Sequence, residues 1–362
     1  MPKKIFISII TSFYNASRFI NSYQKTIEEQ DFSKPFEIIM IDDGSTNKNI
    51  IKIKKLNLKN LRVFSLPINF GPAKGRNFAI KKAMGDYIFF LDIDDTIEKN
   101  TLSLLYNKAL SSKANFIYCD TKWIENSENQ REGIYSYLKD RIINNSEITK
   151  VMINRLYNPK QAPGMVSAKG KLIKRSLLIS KKIFFEEKLR YLEDEIFNWT
   201  VLAHVKKVGY VRKQLYSYYT HPGSSSGIIA GIQFMFNISK FKIIKKHIKK
   251  SLIVRGVPEI KAEKHGNQAL IFFIINLLIS NSKSMFQKKI SFSAGRSNQK
   301  KIIKIILTSK EVEKAIIQYS ILEGENLLIP KAIYLKKENI LQKESDKRAK
   351  EILHLRKKKM YI

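Results

Sequence analysis

The first 120 residues alternate short apolar runs with amphipathic stretches. The runs IFISII (5–10), FEIIMI (36–41), LRVFSL (61–66), YIFFL (87–91) and ANFIYC (114–119) predict five strands, and the segments between them read as helices. None of these strands alternates apolar with polar positions, so helices should cover both faces, as in a doubly wound parallel α/β sheet. Residues 120 to 165 have no clean period and read as loop-rich. After them, the basic run KGKLIKRSLLISKKIFF precedes RYLEDEIFNWTVLAHV, which predicts a helix with acids in its first turn. LYSYYTHPGSSSG (215–227) ends in a Gly/Ser-rich stretch that marks a boundary. The expected organisation is therefore an α/β domain over 1–227 and a smaller, lysine-rich helical region over 228–362.

Composition narrows the partners. A single cysteine, Cys119, excludes an internal disulfide framework and a thiolate zinc site, so metal chemistry would use oxygen or histidine ligands in a reducing compartment. The opening MPKKIFISIITSFYN predicts a strand rather than a signal peptide, because its apolar run breaks at Asn15 and no small-residue cleavage site follows. The longest apolar block, ALIFFIINLLI at 269–279, falls short of the roughly 20 residues a membrane span needs, which predicts a soluble or peripheral protein. The formal charge is +34, and from Lys240 onward 29 Lys and Arg stand against 10 Asp and Glu. Such a field attracts phosphate in nucleic acid, anionic lipid or a lipid-diphosphate. Lysine makes up 53 of the 66 basic residues, as an AT-rich genome would also produce. The stretches 240–250 and 355–362 interleave lysine with apolar residues, as an interfacial helix does. That pattern predicts a cytoplasmic protein resting on the anionic inner face of the plasma membrane. A plain helical bundle with an oligomerisation surface is the alternative.

Candidate chemistry follows the strands. In an open parallel sheet, ligands bind beyond the carboxyl ends of the strands. Here those ends run into TSFYN (11–15), DDGSTN (42–47), NFGPAKGRN (69–77) and DIDD (92–95). Asp42, Asp43, Asp92, Asp94 and Asp95 would thus crowd one edge, at a cost in stability that a cation or hydrogen-bond donors must offset. All-oxygen ligands select a hard ion, Mg²⁺ or Mn²⁺, which in turn takes phosphate oxygens from a substrate. Plainer roles remain open at each position. Asp42 or Asp43 could form an Asx turn, Arg76 and Asn77 could cap a helix, and Asp95 with Thr96 could cap one starting near Ile97. Glu193, Asp194 and Glu195 could simply complement a helix dipole.

In this order and spacing, ISIITSFYN, EIIMIDDGSTN, NFGPAKGRN and GDYIFFLDIDD resemble the GT-A catalytic domain of glycosyltransferase family 2. The resemblance extends through GKLIKRSLL, YLEDEIF and YSYYTHPGSSS, covering roughly residues 5–225. It implies a Rossmann-like, mostly parallel sheet flanked by helices. It further implies transfer of a sugar from a nucleoside-diphosphate donor, chiefly a UDP-sugar, to a hydroxyl of a glycan or lipid-linked acceptor, with inversion and a divalent cation, in bacterial surface-polysaccharide synthesis. Carried over by position, the resemblance implies that Ser12 and Tyr14 lie along the nucleotide, Ser12 standing where the family usually has proline. Asp42 would accept from the uracil N3–H, and Arg76 and Asn77 would hold base or ribose. Asp94 would bind the metal, with Asp95 able to exchange roles with it, and Asp92 would orient ribose or a metal-bound water. Asp194 would be the general base, with Glu193 binding the acceptor or steering it. Lys171 and Glu195 would contact donor sugar or acceptor, and His221 with Ser224–Ser226 would close over the diphosphate. No Gln-X-X-Arg-Trp motif is visible, which argues against a processive, membrane-embedded synthase.

Two rival readings make different demands. An α/β nucleotidyltransferase should carry a Gly-rich triphosphate loop after the first strand, and TSFYNASRF is not one. A nucleic-acid-binding protein would explain the charge, yet acids crowded at one edge repel phosphate, so no nucleic-acid partner is expected.

Overall fold

A computed structural model describes residues 4–46, 53, 56–124, 130–131, 136–158, 167–190, 192–219, 238–287, 290–322 and 325–358. The chain divides into two compact units, 1–152 with 160–222, and 153–159 with 223–362. The expected boundary at 227 lies outside the described residues.

In the first unit, β1 (Ile7–Phe13), β2 (Phe36–Asp42), β3 (Leu61–Ser65) and β4 (Tyr87–Phe90) pair in parallel in the order β3-β2-β1-β4. The apolar runs of β1, β2 and β4 are buried as a two-sided sheet requires, with Ile7, Ile9, Ile38, Ile39, Ile88 and Phe89 all inaccessible or nearly so, while the edge strand β3 is only partly buried. Among the connecting helices are α1 (Ile20–Glu28) and α2 (Pro72–Lys82).

Beyond β4 the sheet departs from the all-parallel expectation. β6 (Phe116–Ile124) does not lie beside β4, because β9 (Lys171–Lys174) runs antiparallel between them. The strand KLIK is four residues long and flanked by lysines, so its sequence shows only a basic run. β10 (Lys207–Tyr219) then pairs in parallel with β6, and β5 (Thr96–Ile97) pairs antiparallel with β10. Thr96 and Ile97 are thus strand, not the start of a helix; α3 (Thr101–Ser112) begins four residues later. The stretch expected to be loop-rich contains the end of β6, β7 (Gln130–Arg131), β8 (Arg141–Asn144) and α4 (Asn145–Tyr157). The unit also contains α5 (Arg175–Ser180) and α6 (Glu193–His204). α6 has the expected acids in its first turn and buries Ile196, Phe197, Trp199 and Val201.

The second unit contains α7 (Ile238–Val254), α8 (Glu259–Phe286), α9 (Phe292–Thr308), α10 (Lys310–Ile316), α11 (Leu328–Tyr334) and α12 (Glu338–Lys358). The expectation that nothing here reaches membrane-spanning length needs correction. The eleven-residue apolar block sits inside the 28-residue α8, which is long and apolar enough to cross a bilayer by length and composition. However, 72% of its most apolar window is buried within the protein, as in the central helix of a bundle. Two buried polar groups on α8 are paired across the bundle: Ser282 donates to Asp346 at 2.7 Å, and Gln268 donates to the Ser320 carbonyl at 2.8 Å.

Candidate active site

The strand-end loops are tied to one another. Asp42, 3% exposed, accepts from Ser45 N, three residues on, at 2.9 Å, so its carboxylate braces the loop that follows β2. Asp43 reaches the next loop, accepting from Phe70 N at 2.9 Å and Gly71 N at 2.7 Å. Burial pushes the Asp43 carboxyl up, against the pull of those two amides. Gly44 (φ +78°) lets the two loops touch, since a Cβ there would meet the Ile68 carbonyl carbon at 2.5 Å. Asn15 N donates to Ser45 Oγ at 2.8 Å, drawing in the β1 loop, where Tyr14 is half exposed. Ser12 packs beneath α2 at Gly75, where a Cβ would stand 2.5 Å from its Oγ.

These ties fix α2, whose first residue is Pro72 and which carries Arg76 and Asn77 inward. Arg76 is the hub of the site. Its Nη1 donates to Asp194 Oδ1 at 2.8 Å and lies 3.7 Å from Glu193 Oε1, while Nη2 donates to Asp92 Oδ1 at 3.0 Å. Burial alone would lower the Arg76 pKa, but Asp194, Asp92 and Glu193 outweigh it and raise it. The expectation that Arg76 reaches base or ribose is therefore replaced by an ionic role inside the acid cluster. Asn77 is also reassigned. Its Nδ2 donates to Phe185 O and to Glu187 Oε1, both at 2.9 Å, and its Oδ1 accepts from Phe185 N at 2.7 Å. That amide holds the 185–187 segment and has no N–H left for a nucleotide.

At the end of β4, Asp95 N donates to Asp92 O at 3.1 Å, and the resulting turn folds Asp95 back beside Asp92 while Ile93 enters the core. Asp92, Asp94 and Asp95 each offer an oxygen within 4.8 Å of the others. Extended-chain alternation would have paired Asp92 with Asp94 and turned Asp95 away. Instead, Asp92 and Asp95 share the Lys169 ammonium, at 3.0 and 2.8 Å. Asp95 is inaccessible and also accepts from Tyr216 Oη at 2.7 Å and Tyr219 N at 3.0 Å. Both its oxygens are occupied, so it is poorly placed to exchange roles with Asp94. Burial would raise the Asp92 carboxyl, but Lys169 and then Arg76 hold it well below the ordinary range.

At the start of α6, Asp194 Oδ2 accepts from Ala168 N at 3.2 Å. Glu193 is raised by burial and then by the Asp194 charge, against Arg76. Glu195 follows in the same turn, partly exposed. Lys171 is 1% exposed, and its Nζ donates to the Lys169 carbonyl at 2.6 Å. His221 and Ser224–Ser226 lie outside the described residues. Two site residues went unrecognised in the sequence. Lys169 is hidden among many lysines, and Asn198, whose Nδ2 donates to Ser167 O at 2.7 Å and so ties that segment to α6, looks like an ordinary helix residue.

Five carboxylates (Asp92, Asp94, Asp95, Glu193 and Asp194) thus meet two cations, Arg76 and Lys169. The remaining negative charge and the all-oxygen donor set suit a hard divalent ion.

Comparison with known proteins agrees with this layout. The family model described as Glycosyl transferase family 2 matches residues 8–178. The Staphylococcus aureus poly(ribitol-phosphate) beta-N-acetylglucosaminyltransferase TarS is 28% identical over 217 residues, covering 59% of this chain and 35% of TarS. An uncharacterized glycosyltransferase of Haemophilus influenzae is 41% identical over 121 residues, 32% of this chain and 48% of that protein. The chain thus spans about a third to a half of the length of these curated relatives. The solved structure of S. aureus TarS 1–349 in complex with UDP-GlcNAc superposes with a TM-score of 0.66 at 19% identity, covering 96% of this chain and 92% of that one. Residues 8–178 are a glycosyl transferase family 2 domain, and the chain has the GT-A fold.

Proposed function

We propose that the chain transfers a sugar from a UDP-sugar to a hydroxyl of a surface glycan or a lipid-linked acceptor, with inversion. The observation that carries this reading is the single Arg76 guanidinium joining Asp92, of the strand-end acids, to Asp194, on a helix 118 residues after Arg76 in sequence. Asp194 has the geometry of a general base: one oxygen is fixed by Arg76 and the other by Ala168 N, and its side chain is 23% exposed. It would take the proton of the attacking hydroxyl, an assistance typically worth ~10²- to 10⁴-fold in rate. Glu193, beside it, would bind the acceptor. The half-exposed Tyr14 and the Asp42 turn line the strand ends where base and ribose would lie. Uridine as the base is supported by TarS, whose structures contain UDP and UDP-GlcNAc.

Asp94 and Asp92 would hold Mn²⁺ or Mg²⁺, which when bound stabilises the charge on the departing diphosphate. Arg76 and Lys169 keep Asp92 ionised for that purpose. The test is a thermal-shift screen of nucleotides and UDP-sugars with and without Mn²⁺. A raised Tm with UDP or a UDP-sugar, increased by Mn²⁺, is the expected result; no response to any uridine nucleotide would reject the donor assignment.

A further inference from the structure

Lys169 is the buried cation that the proposed transfer leaves without a direct part. Its side chain is 16% exposed, and its ammonium lies 3.0 Å from Asp92 Oδ2, 2.8 Å from Asp95 Oδ2 and 3.9 Å from the centre of the Tyr218 ring. The chain around it is fixed. Lys169 forms a β-bridge with Phe90 at the end of β4, Ser167 O is held by Asn198, and the following Gly170 takes φ +67°, where a Cβ would stand 3.2 Å from Cys119 Sγ. The ammonium is therefore delivered to one place rather than swinging on a free loop.

That place belongs to the acid cluster. A divalent ion held by Asp94 and Asp92 would need lone pairs from the Asp92 carboxylate, which already serves Lys169, and it would sit within a few ångströms of a positive charge. Lys169 and the ion thus draw on the same oxygens.

We propose that Lys169 is a built-in monocation that competes with the divalent ion for the Asp92 carboxylate and so sets how weakly this site holds metal. The inference rests on reading Asp94 and Asp92 as the metal ligands, and its test separates the two. Lys169 acts as a positioning residue: its ammonium holds the Asp92 and Asp95 carboxylates in place.

The measurement is Mn²⁺ binding to the full chain in the presence of UDP, followed by the electron paramagnetic resonance signal of free Mn²⁺. Lys169→Met should bind Mn²⁺ at least about tenfold more tightly than the unmodified chain, whereas Lys169→Arg, which keeps the charge, should stay within about twofold. Should Lys169→Met fail to fold, Lys169→Gln, which keeps an N–H for one carboxylate, gives the same comparison. Equal or weaker Mn²⁺ binding by the neutral variants overturns the competition. If the unmodified chain binds Mn²⁺ and Asp94→Asn binds it equally well, the metal reading of the cluster fails, and the proposal falls with it.

Discussion

At the scale of single residues, the site concentrates charge where water is scarce and stabilises it with two cations. Removing one partner of such a buried network leaves uncompensated charge, at a typical cost of about 3–5 kcal/mol, far more than an exposed pair is worth. Glu193 is the member with the least support, since burial and the Asp194 charge together outweigh Arg76. A carboxyl whose folded pKa is raised contributes stability below its unfolded pKa and loses it as pH climbs to the folded value. Stability should therefore decline as pH rises from the ordinary glutamate range toward the raised value. Glu193→Gln should remove that part of the decline, a difference of order 1 kcal/mol or more in chemical unfolding across the interval. Parallel pH profiles for the two proteins would contradict the placement. Asp92 acts in the opposite sense and lower on the scale: its contribution is present at neutral pH and is lost only below the ordinary aspartate range.

At the scale of elements, the loops after β2 and β3 work as one unit because Asp43 closes them. Two backbone amides, of Phe70 and Gly71, depend on that carboxylate, and the helix carrying Arg76 starts at the next residue. Asp43→Ala should cost about 2–4 kcal/mol of stability, the price of two unsatisfied buried amides. It should also weaken UDP binding, because α2 loses its anchor. A variant of unchanged stability, read from denaturant unfolding, would show that these amides find other partners. The same scale explains what the sequence concealed. β1, β2 and β4 show as apolar runs because both their faces are covered, and α6 shows because its acids precede a long apolar stretch. β9 did not show, since only Leu172 and Ile173 are apolar and both flanks are lysine. The turn that brings Asp95 back to Asp92 was equally illegible, because it is set by Tyr216 and Tyr219 donating from β10, more than 120 positions away.

At the scale of the whole molecule, the order of motifs along the chain disclosed the family and the GT-A fold, while the wiring between motifs was not readable. Arg76 and Asn77 are adjacent, yet one ends among three carboxylates and the other spans to Phe185; only the tertiary partner distinguishes them. The charge surplus has a corresponding division in the second unit. On α7, Lys245 pairs with Glu263 and Glu311, and Lys249 pairs with Glu259 and Glu263 at 2.9 Å each. Lys242, Lys246 and Lys250 instead lie exposed at intervals of four, an arrangement of like charges that disfavours the isolated helix. This row suits the proposed contact with an anionic membrane surface, at roughly 1 kcal/mol per basic contact. Replacing all three by glutamate should reduce binding to phosphatidylserine vesicles at least tenfold at low salt; unchanged partitioning would reject the contact.

The most direct measurement compares Asp194→Asn with the unmodified chain in two assays, equilibrium binding of the UDP-sugar that gives the largest thermal shift and single-turnover transfer from it. If Asp194 removes the acceptor proton while Arg76 keeps the acid cluster assembled, the variant binds donor within about threefold of normal and transfers at least about 100-fold more slowly. Transfer at the normal rate by Asp194→Asn would contradict the account at its centre.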